Sequence, residues 1–459
     1  MPQLATQSEW KRELRAMTAL ALPVVLSELG WMLQGIVDTI MVGHLGPEAI
    51  GAVAIGNAVY YVPSLFGIGL LLGLDTLVAQ AYGRDDHDAC HHWLAQGVYL
   101  AFIVSPPLMI LLAVASLFFG HVGIHAEVAL PAGIYLRVII WGTLPLLLYG
   151  AARRYLQGVG QVRVVTVTLV LANLLNWLGN WVLIYGKLGA PAMGVPGSAL
   201  STVFARIGMA AALLGFAWRY EHSRGHPLFA RWAKPSLLKI KQLARLGAPA
   251  AGQIVAEVGA WNLVTFAAGF LTPVELATHT IALSYASLTY MVPLGVGAAA
   301  AVGVGHAIGA EDRPRARRAG WLALALGISF MFLAGIVLFL APRPLIAVYT
   351  TDARVMETGP TLLLIAAAFQ IFDGVQTVAT GALRGLGETR VPMIANLIGY
   401  WLIGLPLGFV LCFWFKRGVF GLWIGLTLAL IIIAAILLHR WNKDSSAQRS
   451  TIQGQHSLQ

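Results

Sequence analysis

Six ionisable residues interrupt stretches of chain that are otherwise apolar: the carboxylates Glu28, Asp38, Asp75, Glu257 and Asp373, and the cation Arg206. A charge at mid-bilayer costs about 2.5–3.5 kcal/mol, so several together exceed ~10 kcal/mol unless they pair, bind ions or protons, or face water. A carboxylate in such a place can take up a proton or Na+, or attract an organic cation. Glu257 and Asp373 lie near mid-depth in one half of the chain with no cation close in sequence, which makes them the first candidates for cation coupling and a candidate Na+ site. Asp38 stands toward the outer end of the first span, one to two turns before Gly43, and joins them as a cation and substrate candidate. Glu28 and Arg206, both at mid-depth in the first half, are either a pair with each other or part of a cavity lining. Asp75 is within reach of the inner interface and reads as structural.

Neutral polar residues cluster as well. In ANLLNWLGNWVLIYGK (172–187), Asn173, Asn176 and Asn180 recur at spacings of three and four, so one helical face carries amides. Such a face serves equally as a cavity wall or as a source of interhelical hydrogen bonds. Gln34, Gln253 and Gln370 are weaker signals of the same kind. Tyr60, Tyr61, Trp261, Tyr285 and Tyr290 are suited to stack on organic cations, although packing is the commoner use of an aromatic ring. The expected cavity lining is therefore Glu28, Gln34, Asn176, Asn180, Arg206, Trp261 and Tyr285. His91 and His92, beside Asp85, Asp86 and Asp88, read as a hydrated loop, whereas His279 and His306 read as structural hydrogen-bonding residues. Cys90 and Cys412 form no disulfide framework or metal-site spacing. Neither GxxxxGK[ST] nor HExxH occurs, so no ATP site or resident cofactor is expected and energy would come from an ion gradient.

The elements that position these groups follow from composition. The chain has 459 residues, 58% hydrophobic and only 11% charged, against about 25% charged in a soluble domain. Crossing ~30 Å of hydrocarbon takes ~20 helical residues. Such segments occur near 17–43, 51–81, 93–120, 132–156, 164–186 and 195–218, then near 244–270, 278–308, 319–341, 359–383, 391–415 and 418–439. The expected architecture is an all-α integral membrane protein with twelve spans in two six-helix bundles, 17–218 and 244–440. An N-terminal segment (1–16), a basic linker (219–243) and a tail (441–459) complete the chain. The first apolar segment is too long for a cleavable leader and is expected to be retained.

With both termini placed in the cytoplasm, 23 of the 30 Lys and Arg fall on inner segments. These include Arg153, Arg154 and Arg384, assigned to inner loops. Only Lys187, Arg343, Arg354, Lys416 and Arg417 fall outside. That bias predicts a multi-pass inner-membrane protein with both termini cytoplasmic. It also explains the net charge of +10 without nucleic acid. Membrane lipid is the expected surrounding, and a monomer the expected state.

Shifted by 226, the start of one half overlays the other without a gap. Pro23/Pro249, Gly43/Gly269, Pro47/Pro273, Gly69/Gly295 and Gly83/Gly309 are among the matches. LQGVGQVRV (156–164) repeats as LRGLGETRV (383–391) at a shift of 227. With six spans each, the halves enter the membrane from the same side, so they are parallel repeats about an axis along the membrane normal, an arrangement that holds substrate near the midplane.

GIVDTIMVGHLG (35–46), LDTLVAQAYG (74–83), NWVLIYGKLGAP (180–191), AEVGAWN (256–262), VGHAIGA (304–310) and FDGVQTVATGALRG (372–385) together resemble the multidrug and toxic compound extrusion (MATE) family, in its NorM-like branch. The resemblance covers about 15–440. It implies an antiporter, not an enzyme, that exports small organic cations in exchange for Na+ or H+. It further implies that Asp38, Glu257 and Asp373 bind the coupling ion or drug, and that Asn176 and Asn180 line a first-half cavity. The rival is a lipid-linked saccharide flippase of the wider superfamily. A flippase is expected to show a basic cavity, whereas the charge assigned to the spans is mostly acidic.

Overall fold

The computed structural model describes residues 7–119, 126–225 and 232–446. Parts of the expected N-terminal segment, linker and tail, with Arg231 and Arg449, lie outside these residues. Twelve long helical segments run through the described chain. The first half holds α1 (Gln7–Gly43), α2 (Pro47–Gly83), α3 (His87–Leu117), α4 (Glu127–Gly158), α5 (Val162–Tyr185) and α6 (Val195–Ser223). The second holds α7 (Leu237–Ala268), α8 (Pro273–Gly309), α9 (Arg313–Leu340), α10 (Ala353–Gly385), α11 (Arg390–Trp414) and α12 (Gly418–Ser446). Eleven of them are apolar enough over 18 residues to count as spans on hydropathy alone. The remaining helix, α7, is long enough at 32 residues, but Gln253, Glu257 and Asn262 interrupt its apolar run.

Local chemistry builds the two halves alike. Pro47 and Pro273 each stand in the first turn of a helix, where a missing N–H costs nothing. Asp86 and Asp312 cap α3 and α9 by accepting from the N–H three residues on. Asp85 and Glu311, one residue earlier, both have φ near +60°. All three pairs share the offset of the sequence repeat.

The halves meet through contacts that repeat under the same shift. A Cβ on Gly69 would lie 2.5 Å from the Ala251 Cα, and one on Gly295 would lie 2.7 Å from the Val25 Cα. A Cβ on Gly83 would lie 2.2 Å from the His306 carbonyl oxygen, and one on Gly309 would lie 2.1 Å from that of Gln80. Adding 226 to each first-half residue gives its second-half counterpart. Hydrogen bonds are related in the same way, with Gly158 and Gly385 at the 227 shift of that segment: Gln80 Nε2 donates to the Gly385 carbonyl at 3.0 Å, and His306 Nε2 to the Gly158 carbonyl at 2.6 Å. The repeat in sequence is thus a pseudo-twofold in space. These contacts join α1, α2, α4, α7, α8 and α10 at the end that carries the Arg-rich turns. Each half has its own apolar core, to which the first helix of the other contributes: Met17, Ala21 and Val25 of α1 join the second-half core, and Ile240, Leu243 and Ala251 of α7 the first-half core.

Candidate functional site

Beyond the contact at the Arg-rich end, the halves enclose a cavity of about 420 Å³, within the ~300–1,000 Å³ range of drug-sized pockets. Its walls are pseudo-symmetric in position. Tyr61 and Ser287, Leu65 and Met291, Trp31 and Glu257, Tyr149 and Gln376, and Arg153 and Thr380 are repeat partners, and all ten line it. They are not symmetric in charge. Glu28 answers to Ile254, Glu257 to Trp31, Asp373 to Leu146, Arg154 to Gly381 and Arg384 to Gln157. Since the fold is satisfied by either residue of each pair, the charges are not required for packing alone.

Glu257 comes from the middle of α7 and Asp373 from α10, facing one space. Gln376, one turn beyond Asp373, donates from Nε2 to Glu257 Oε2 at 3.3 Å and to Asn396 Oδ1 at 3.0 Å. Tyr400 of α11 reaches the Gln376 oxygen at 3.5 Å. Among the described residues, no Lys or Arg forms an ion pair with either acid. Trp261, from the same helix as Glu257, borders the cavity and packs edge-on against Phe369 and Trp423. Behind this wall, His279 sits between Thr265 Oγ1 at 3.0 Å and Trp423 Nε1 at 3.1 Å, a structural role as expected.

Asp38 belongs to a second, separate network inside the first half. It accepts from Asn180 Nδ2 at 2.5 Å and Thr202 Oγ1 at 3.3 Å. Asn176 reaches Thr202 and Ser201, and Asn173 donates to the Gly30 carbonyl. The amide face therefore forms interhelical bonds, and Asn176 and Asn180 are fully buried. Gln34, Arg206 and Tyr285 also stand outside the lining of the central cavity. Tyr285 instead donates to the Leu345 carbonyl.

Three assignments change. Glu28 does not pair with Arg206: it is bound by Arg153, and Arg206 instead donates to Tyr60 Oη at 2.6 Å while lying over its ring. Arg153, Arg154 and Arg384 are not loop residues: Arg153 and Arg154 lie inside the expected span 132–156, α10 continues past 383 to include Arg384, and all three line the cavity. Asp75 pairs with Arg154 of its own half at 3.4 Å and with Arg384 of the other at 3.3 Å. The cavity thus presents three arginines beside Glu28, Glu257 and Asp373, and its charge is mixed rather than mostly acidic. His91 is likewise not on a hydrated loop, since it lies in α3 with Nε2 3.1 Å from the buried Glu221 carboxylate. The signal for Arg153 and Arg154 was the expected span 132–156 that already held them, and that for Arg384 was the repeat, where LQG and LRG differ only by Gln157 against Arg384.

The chain matches the MatE family over residues 23–182 and 249–410. It is 38% identical over 444 residues to a probable multidrug resistance protein NorM of Mesorhizobium japonicum, covering 95% of each. It is 34% identical to multidrug resistance protein NorM of Burkholderia vietnamiensis, covering 93% of each. In fold it resembles the eukaryotic MATE transporter AtDTX14, with TM-score 0.84, 23% identity and coverage of 95% of this chain and 98% of that one. A MATE structure in a bent conformation gives TM-score 0.86 at 19% identity, covering 96% of this chain and 98% of that one.

Proposed function

Since the chain belongs to the MatE family, a family of transporters rather than enzymes, we propose that it is a secondary active exporter of small organic cations, driven by exchange for Na+ or H+. The observation that carries this reading is the cavity-lining pair Glu257 and Asp373, unbridged by any Lys or Arg on the cavity wall. Two uncompensated carboxylates attract a cationic substrate, and the same charge is cancelled by a proton or by Na+. Ion and substrate then compete for one site, which is the requirement for exchange.

In this mechanism the two bundles rock about the cavity, opening it to one side at a time. The described contacts close the Arg-rich end. Inner Lys and Arg still outnumber outer ones by 20 to five once the three cavity arginines are set aside, which supports cytoplasmic termini and an inner-membrane location. One charge moving through ~150 mV supplies ~3.5 kcal/mol, and a tenfold ion gradient adds ~1.4 kcal/mol. Together these sustain a substrate gradient of about three orders of magnitude. The named relatives are multidrug resistance proteins, which favours small-molecule export over a lipid-linked saccharide flippase.

The test is ethidium efflux from vesicles under imposed Na+ or H+ gradients, with wild type beside Glu257→Gln and Asp373→Asn. Gradient-driven efflux should disappear in both variants, and the gradient that works identifies the ion. Efflux that persists in both removes these acids from the coupling role.

A further inference from the structure

The cavity has two electrical poles, and cation exchange uses only one of them. Glu257 and Asp373 stand on second-half helices, whereas Arg153 and Arg154 stand on α4 of the first half. Arg384 follows Asp373 on α10 by eleven residues, about 16 Å along the axis. Two acids serve the three guanidinium groups, Glu28 at Arg153 and Asp75 at the other two. Arg154 Nη1 and Arg384 Nε share a single oxygen of Asp75 at 3.4 and 3.3 Å, long beside the ~2.7–2.9 Å of a strong charge-assisted bond. Arg153 Nε is buried without a hydrogen-bond partner, and Arg153 is only 7% exposed. A buried donor left unpaired costs about 1–3 kcal/mol. Packing does not require these donors, because the repeat partners of Arg153, Arg154 and Arg384 are Thr380, Gly381 and Gln157.

We propose that the basic pole is an anion subsite, at which Arg153, Arg154 and Arg384 hold the carboxylate of a substrate whose cationic end lies toward Glu257 and Asp373. Guanidinium groups recognise a carboxylate through paired N–H donors, so the subsite selects planar oxyanions over neutral oxygens. Tyr61, Tyr149, Trp261 and Tyr290 line the space between the poles and suit an aromatic body. The preferred substrate is then amphoteric rather than purely cationic. This inference rests on the central cavity being the substrate cavity.

Rhodamine 110 and its methyl ester, rhodamine 123, share one fluorescent ring system and differ by a carboxylate. Their binding to the purified full-length protein is read by fluorescence anisotropy. Wild type should bind the free acid at least ~10-fold more tightly than the ester, the lower end for a charged hydrogen bond. Arg153→Gln and Arg384→Gln should each remove about that factor for the acid while leaving the ester within about twofold. The double variant Glu28→Gln/Arg153→Gln removes the pair together and should show the same loss. Glu28→Gln alone releases Arg153 and should tighten the acid. Equal wild-type affinities for the two dyes overturn the subsite, as do parallel losses of both dyes in the arginine variants. Binding of the ester alone overturns the subsite and leaves the cavity reading standing; binding of neither dye overturns both.

Discussion

Replacing Gly247 with alanine should open the inner end of the protein without damaging either half. The new Cβ would lie 1.8 Å from the Leu70 carbonyl oxygen, where real Cβ contacts do not fall below 3.0 Å, so the halves must part at that point by the difference. The clash is with backbone, so no side-chain rotation relieves it. Overpacking of this kind costs about 1–3 kcal/mol. Gly247 and Leu70 belong to different halves, so the penalty falls on the conformation in which the inner end is closed and vanishes when it opens. At about 1.4 kcal/mol per tenfold change, the closed-to-open ratio should drop about 5- to 150-fold. Spin labels at the exposed positions Asp88 and Arg317, placed by cysteine substitution, report the separation of the inner ends in vesicles. Cys90 and Cys412 are buried and can remain. The distribution should shift toward longer distances in Gly247→Ala and stay unchanged in Gly208→Ala and Gly215→Ala, where a Cβ meets nothing within 4 Å. Gly381→Ala clashes with Gly297 of its own half, and should lower thermal stability instead of changing the distance. A Gly247→Ala distribution matching that of Gly208→Ala would refute the idea that this contact closes the inner end.

Three further outcomes are expected. His279→Ala strips buried partners from Trp423 and Thr265, so it should destabilise the second half by about 1–3 kcal/mol, read as a lower Tm in detergent; an unchanged Tm would show that these groups find other partners. Asn180→Leu leaves Asp38 with Thr202 as its remaining bonded partner in the network and should lower Tm more than Asn173→Leu, which removes only a bond to the Gly30 carbonyl; the reverse order would contradict the burial argument. Asp352 caps α10 through the Arg354 and Val355 amides, and the Arg354 side chain and these amides hold its carboxyl below the ordinary range. A depressed folded-state pKa gives stability that is complete above the unfolded value near ~3.9 and lost as pH falls through the lower folded value. Hydrogen-exchange protection of residues 354–356 should therefore fade in acid in the wild type and be low at neutral pH in Asp352→Ala; a flat profile would exclude the cap as its source.

The twelve spans, the two halves and their pseudo-twofold were legible in the sequence because each rests on short-range or periodic information. Hydropathy counts transfer free energy residue by residue, and a shared offset of 226 preserves Gly and Pro where backbones approach. Glu257 and Asp373 were legible for the same reason, since an acid deep in an apolar helix is costly wherever the helix packs. Partner choice was not legible. Glu28 and Arg206 matched in depth, yet depth fixes position along the membrane normal and not rotation about each helix. Packing turns Glu28 toward Arg153 and Arg206 toward Tyr60. Which face of a helix looks into the cavity was also not legible: Arg153 and Arg154 lie within the expected span 132–156 and Arg384 just past the expected end of α10, yet only packing shows that all three line the cavity. Sequence alone determined which charges needed a reason to be buried; only the tertiary structure decided which charges meet, because ion pairs act over a few ångströms between helices brought together by the fold.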